Sequence, residues 1–229
     1  MRGAGRIIVA IMLGMLVLMV TGAASTVSLK LSNQPASGSW TVGIVTEAAM
    51  LLASLLLILM VSRGRLPSYG FTWTSISSLS WSVLAGLAIG VLSGIVQSII
   101  SPEENPVAAG FSFLQIVVII WLCASTAEEV LTRGLVQGFL SPLAGRGFNV
   151  LRWRVSVPVL VSALFFGVMH LALLSQGTSP SLVFSIVASA SVLGLVAGYA
   201  REKTGSLVPA ILVHMFANIG GTIIDRLVT

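Results

Sequence analysis

Charge is what this chain has least of. Only 8% of its 229 residues are Asp, Glu, Lys or Arg, while 56% are hydrophobic. Soluble domains carry about 25% charged residues, so a water-soluble fold with this composition would leave its surface largely apolar. Acidic residues are scarcer than basic ones, seven against twelve, for a net charge of +5. The basic residues do not cluster on one polar segment but sit in short stretches between apolar runs, which excludes a nucleic-acid surface. Cysteine is limited to Cys123, so no internal disulfide can form and the redox compartment is unmarked. Histidine is limited to His170 and His214.

What is there is a series of apolar runs: 7–24, 43–62, 82–101, 111–140, 156–174, 181–200 and 207–225. Each reaches or approaches the ~20 residues that cross a bilayer as a helix. The connections carry helix breakers, among them Pro35, Gly64, Pro67, Pro102, Pro106, Pro142, Gly177, Pro180 and Gly205. The expected fold is all-α: one polytopic transmembrane bundle over 1–229, with about seven spans (six to eight). The stretch Met1–Ser25 also has the basic start and small-residue end of a cleaved signal. Residues 68–81, with Tyr69, Phe71, Trp73 and Trp81, read as an interfacial segment.

Loop charges give an orientation. Arg2, Arg6, Arg63, Arg65, Arg146, Arg152, Arg154, Arg201 and Lys203 fall on one side, and Lys30 and Arg226 on the other. Lys and Arg favour cytoplasmic loops, so the nine-to-two split predicts a cytoplasmic N-terminus.

Within the fourth run, Glu128, Glu129 and Arg133 have apolar residues on both sides. A charge at a helix centre costs ~2.5–3.5 kcal/mol on insertion scales, so such groups face the bundle interior or a wet cavity. Glu129 precedes Arg133 by four residues, the favoured order for an ion pair. Glu128 points about 100° away, which leaves it available to another helix. His170 lies in the fifth run, one turn after Phe166, which is expected to pack beside it and to meet substrate. His214 and Asn218 lie one turn apart in the seventh. Counted from their inner helix ends, Glu128, His170 and His214 lie ~20, ~18 and ~10 Å deep. These depths predict one cavity open to the cytoplasmic side.

A carboxylate, two imidazoles and a carboxamide suffice for hydrolysis without a covalent intermediate. Glu128 would act as general base, His170 would orient the water or share its proton, and His214 and Asn218 would donate to the oxyanion. Zinc held by Glu128, His170 and His214 is the alternative, as a His2Glu ligand set, although the helical H-E-x-x-H signature is absent. Cys123 reads as inert packing. Glu47, near the outer end of the second run, reads as interfacial.

The pattern Glu128-Glu129-x-x-x-Arg133, then Phe166-x-x-x-His170, then His214-x-x-x-Asn218 resembles the three motifs of the CAAX prenyl endopeptidase and bacteriocin-processing (CPBP, or Abi) membrane protease family, over about residues 111–220. The resemblance implies a glutamate-dependent intramembrane endopeptidase that needs no cofactor. Glu128 and His170 would activate water, and His214 and Asn218 would form the oxyanion hole. The implied partners are the bilayer and a membrane-anchored or lipidated protein substrate cut near the cytoplasmic surface. Two other readings stand beside it: a non-catalytic immunity or scaffold protein of the same family, and a proton-coupled transporter, for which no repeat is evident.

Overall fold

The computed structural model describes residues 3–32, 38–100, 110–150 and 153–228. Expectations that touch Arg2, Pro35, Pro102, Pro106 and Arg152 lie outside the described residues. Seven helices are long and apolar enough to span a bilayer: α1 (Gly3–Ser32), α2 (Trp40–Ser62), α3 (Ile76–Ile100), α4 (Phe113–Leu143), α5 (Val157–Gln176), α6 (Pro180–Thr204) and α7 (Val208–Val228). The chain is an integral multi-pass membrane protein with an all-α bundle fold.

Local chemistry sets the helix ends. Ser39 caps α2 by accepting from the Val42 N–H, and Ser156 caps α5 by accepting from the Val159 N–H at 3.3 Å. Pro158 and Pro180 sit in the first turns of α5 and α6, where their missing N–H groups cost nothing. Gly205 closes α6 at φ 70°, a left-handed conformation that glycine adopts without a Cβ clash.

Cross-links sort the helix ends onto two faces. On one, Arg6 Nη1 donates to Phe139 O at 3.1 Å, Arg201 Nη2 to Ser68 O at 3.2 Å, and the Leu207 N–H to Gly70 O at 2.8 Å. This basic face also carries Arg63, Arg65, Arg146, Arg154 and Lys203. On the opposite face Gln115 Nε2 donates to Gly38 O at 2.6 Å, and α1 and α7 end beside Lys30 and Arg226. The alternation expected from loop charge is the alternation of the fold.

Helices α3 and α7 run parallel and nearly touch. A Cβ on Gly86 would stand 2.4 Å from Val213 O, one on Gly90 2.0 Å from Ala217 O, and one on Gly94 2.9 Å from Ile224 Cβ. In lipid, small residues at such spacing let helix backbones pack closely. Gly90→Val is therefore expected to destabilise the bundle by ~1–3 kcal/mol through overpacking. Gly22→Ala, with nothing within 4 Å of the new methyl, is expected to leave stability unchanged. Thermal unfolding in detergent measures both.

Four expectations are corrected. Trp81 belongs to α3 rather than to an interfacial segment, because the helix begins at Ile76. The connection after α4 is not plain loop. It holds an antiparallel pair, β1 (Gly147–Val150) and β2 (Trp153–Ser156), whose Phe148, Val150, Trp153 and Val155 suit extended backbone. Trp153 there meets Tyr199 edge-on, with ring centroids 5.0 Å apart. Arg201 is buried in the last turn of α6 rather than exposed in a loop. Finally, α4 is not uniformly α-helical: Ile116–Ala124 and Val130–Val136 are wide π turns on either side of a short α segment, Ser125–Glu129. π turns of this kind gather at functional sites.

Candidate active site

The two glutamates of α4 part company as their spacing predicts. Glu129 is fully buried, and its Oε1 accepts from Arg133 Nη1 at 2.8 Å and from His214 Nδ1 at 3.0 Å. A carboxylate oxygen only accepts, so His214 carries its proton on Nδ1 and turns Nε2 outward. That Nε2 stands 3.8 Å from Glu128 Oε2. Glu128 is partly exposed, and its helix-mate Thr132 donates to its backbone carbonyl at 2.6 Å rather than to its carboxyl.

Arg133 has no exposed surface. Besides Glu129 it donates to Thr132 Oγ1, and its guanidinium stacks over the Phe166 ring at 4.6 Å. Gly194 makes room for it, since a Cβ there would stand 2.9 Å from Nη2. Phe166 is the hub. Its ring also meets His170 and His214 edge-on, with centroids 5.1 and 5.2 Å apart. It lines the cavity while being only 1% exposed, so most of its ring is committed to these neighbours.

His170 sits where α5 changes from α to 3-10 geometry. Its Nδ1 donates to Phe166 O at 2.8 Å, which leaves Nε2 as the acceptor of the neutral ring. Asn218 Nδ2 donates to Ser125 Oγ at 3.0 Å and to Ile120 O at 3.4 Å. Ile120 O lies in the wide turn and also accepts from Ser125 Oγ at 3.3 Å, so Asn218 is seated against the π segment of α4.

Glu128, Phe166, His170, His214 and Asn218 line one cavity of about 180 Å³. The structure thus brings together the residues singled out on α4, α5 and α7. It adds walls the motifs did not name, from α3 (Ser93, Gln97) and α6 (Ser189, Leu193). The repeated glycines at 86, 90 and 94 were the available signal for α3; Ser189 had none. Glu47 is not interfacial. Its Oε2 is buried without a hydrogen-bond partner among the described residues, and its carboxyl acts electrostatically on Glu128 and Cys123.

The cavity extends from Glu128 towards the face opposite the basic one. Beyond Glu128 and His214 its walls continue through Ala124 and Ile120 of α4 and through Asn218 and Thr222 of α7, towards Phe113 and Val228. On the basic side Glu129, Thr132, Arg133, Val136 and Gln137 are at most 1% exposed. Gln137 completes this plug by donating to Gly198 O at 2.9 Å. A cytoplasmic N-terminus and a cytoplasmic opening therefore cannot both hold. The expected depths run from the inner helix ends alone, whereas α4 extends 15 residues beyond Glu128 in both directions.

Among the described residues no three His, Cys, Asp or Glu side chains are arranged to hold a metal ion. Both Nδ1 atoms donate to oxygen, which leaves each Nε2 free, the arrangement usual for a metal-ligating histidine, so the ring hydrogen bonds do not decide between water and zinc.

Comparison with known proteins agrees with the motifs. No curated protein and no solved structure matches the chain. Residues 110–220 match the family model described as type II CAAX prenyl endopeptidase Rce1-like, a stretch that holds Glu128, Glu129, Arg133, Phe166, His170, His214 and Asn218. Over residues 110–220, just under half of the chain, the protein thus resembles the Rce1-like family of type II CAAX prenyl endopeptidases.

Proposed function

We propose that this protein is a membrane-embedded, glutamate-dependent endopeptidase that hydrolyses a peptide bond in a membrane-anchored or prenylated, CAAX-type protein. One observation carries the reading. Glu128, His170, His214 and Asn218 face one cavity, while the ion pair that would neutralise Glu128 is taken by its neighbour Glu129.

The chemistry follows from the free atoms. Glu128 takes a proton from a water held by His170 Nε2, and the water oxygen bonds to the substrate carbonyl carbon. The resulting oxyanion needs donors. With His214 Nδ1 committed to Glu129, Nε2 donates only when the ring carries a second proton. Asn218 offers an N–H when its carboxamide is turned over, so that Ser125 donates to Oδ1. The C–N bond then breaks, and the proton on Glu128 passes to the leaving amine.

Cleavage of a lipid-anchored peptide by the purified protein tests this. Glu128→Ala and His170→Ala should abolish turnover, and chelator should leave the wild type unchanged. Asn218→Ala should lower kcat by ~10²–10³, the loss usual for one oxyanion donor. Equal cleavage by the wild type, Glu128→Ala and His170→Ala overturns the proposal. Loss of activity in chelator alone assigns the chemistry to zinc.

A further inference from the structure

The direction of the cavity bears on which substrates reach it. Its polar wall residues Ser93, Gln97, Ser189, Asn218 and Thr222 all lie between the Glu128–His214 pair and the face bearing Gln176 and the end of α7. The other way is closed by the buried layer of Glu129, Thr132, Arg133 and Gln137, four side chains at most 1% exposed. Among the described residues, the basic face beyond that layer holds seven of the nine Lys and Arg outside Arg133. That asymmetry is the signature of the cytoplasmic side. Two independent observations, one of packing and one of charge, thus point in opposite directions along the same axis.

We infer that the catalytic cavity opens to the non-cytoplasmic side of the membrane, and that its substrates are membrane-anchored proteins whose scissile segment has already been translocated. This rests on the endopeptidase reading of the same site. A tail tethered by a lipid in the cytoplasmic leaflet would have to pass the buried layer of Glu129, Thr132, Arg133 and Gln137 to reach Glu128. A segment beside an anchor in the outer leaflet meets the cavity mouth directly. The lining suits such a segment: Ile89, Ile120 and Ile186 offer apolar contact, and the serines, Gln97 and Thr222 offer partners for an extended backbone.

The single native cysteine makes the test simple. In a Cys123→Ser background, single thiols are placed in the cavity (Ser93→Cys, Gln97→Cys), on the basic face (Gly145→Cys) and on the opposite face (Gln176→Cys). Gly145 has open space for the new side chain. A sulfonated, membrane-impermeant maleimide is applied to spheroplasts and to inverted vesicles. Expected is labelling of the cavity and Gln176 thiols in spheroplasts only, and of the Gly145 thiol in inverted vesicles only. Cavity labelling together with Gly145, cavity labelling from neither side, or a Gly145 thiol reached in spheroplasts each overturns the inference. The readout needs no catalysis, so a failed endopeptidase reading, seen as unchanged cleavage by Glu128→Ala, is distinguished from a failed orientation. For an active enzyme, a single-span reporter should be cut only when its scissile stretch lies on the non-cytoplasmic side.

Discussion

Glu128→Gln is expected to reduce kcat for peptide hydrolysis by ~10²–10⁴, the range for removing a positioned general base, with little change in stability. The two expectations separate because of how the glutamates are arranged. Among the described residues the Glu128 carboxyl receives no side-chain hydrogen bond, and His214 Nε2 stands 3.8 Å from its Oε2. A carboxamide of the same shape keeps the packing and removes only basicity. Thermal unfolding of Glu128→Gln should match the wild type, and circular dichroism should be unchanged. A variant that retains cleavage within a few-fold of the wild type would remove Glu128 from the chemistry, whatever its position in the cavity. KM is expected to move little, because the carboxylate acts on water rather than on the substrate's ground state.

Arg133→Leu is expected to have the opposite profile, a loss of ~3–5 kcal/mol in stability, the cost of stranding one member of a buried pair. Glu129 has no exposed surface, and its Oε2 already lacks a partner among the described residues. Without Arg133 its charge would be held only by His214. Glu129→Leu should be comparably costly, since it strands a fully buried guanidinium whose remaining contacts are Thr132 Oγ1 and the face of Phe166. The double variant Glu129→Leu/Arg133→Leu should be more stable than either single one, because no unpaired charge remains. It should nevertheless be inactive, since His214 loses the acceptor that orients its ring. Reversible unfolding in mixed micelles gives the stabilities. Additive single-variant losses in the double variant would show that the pair does not act as a unit.

The ion pair illustrates what spacing alone carries. Glu129 and Arg133 are four residues apart, and that separation survives even though the turn after Glu129 widens to π geometry. The divergence of Glu128 from Glu129 was equally legible, because adjacent residues on any helix point in different directions. The engagement of Phe166 with both imidazoles was only half legible. Its contact with His170 is one helical turn, whereas its contact with His214 crosses between α5 and α7. The seat of Asn218 was not legible at all. It depends on Ser125 Oγ and on Ile120 O within the π segment of α4, and nothing in a uniformly apolar stretch announces that change of geometry.

Composition and periodicity by themselves determined a bundle of membrane-crossing helices, the alternation of their ends, and the few polar side chains that had to face inward. Those properties follow from the cost of charge and of unpaired backbone in lipid, which each segment meets separately. Only the tertiary structure decided which walls complete the cavity and towards which face it opens. That choice rests on contacts between distant segments: glycines of α3 against α7, Gly194 of α6 beside Arg133, and Gln137 against Gly198. The direction of opening depends on which end of the bundle packs without gaps, a property of side chains meeting across helices that no single helix carries.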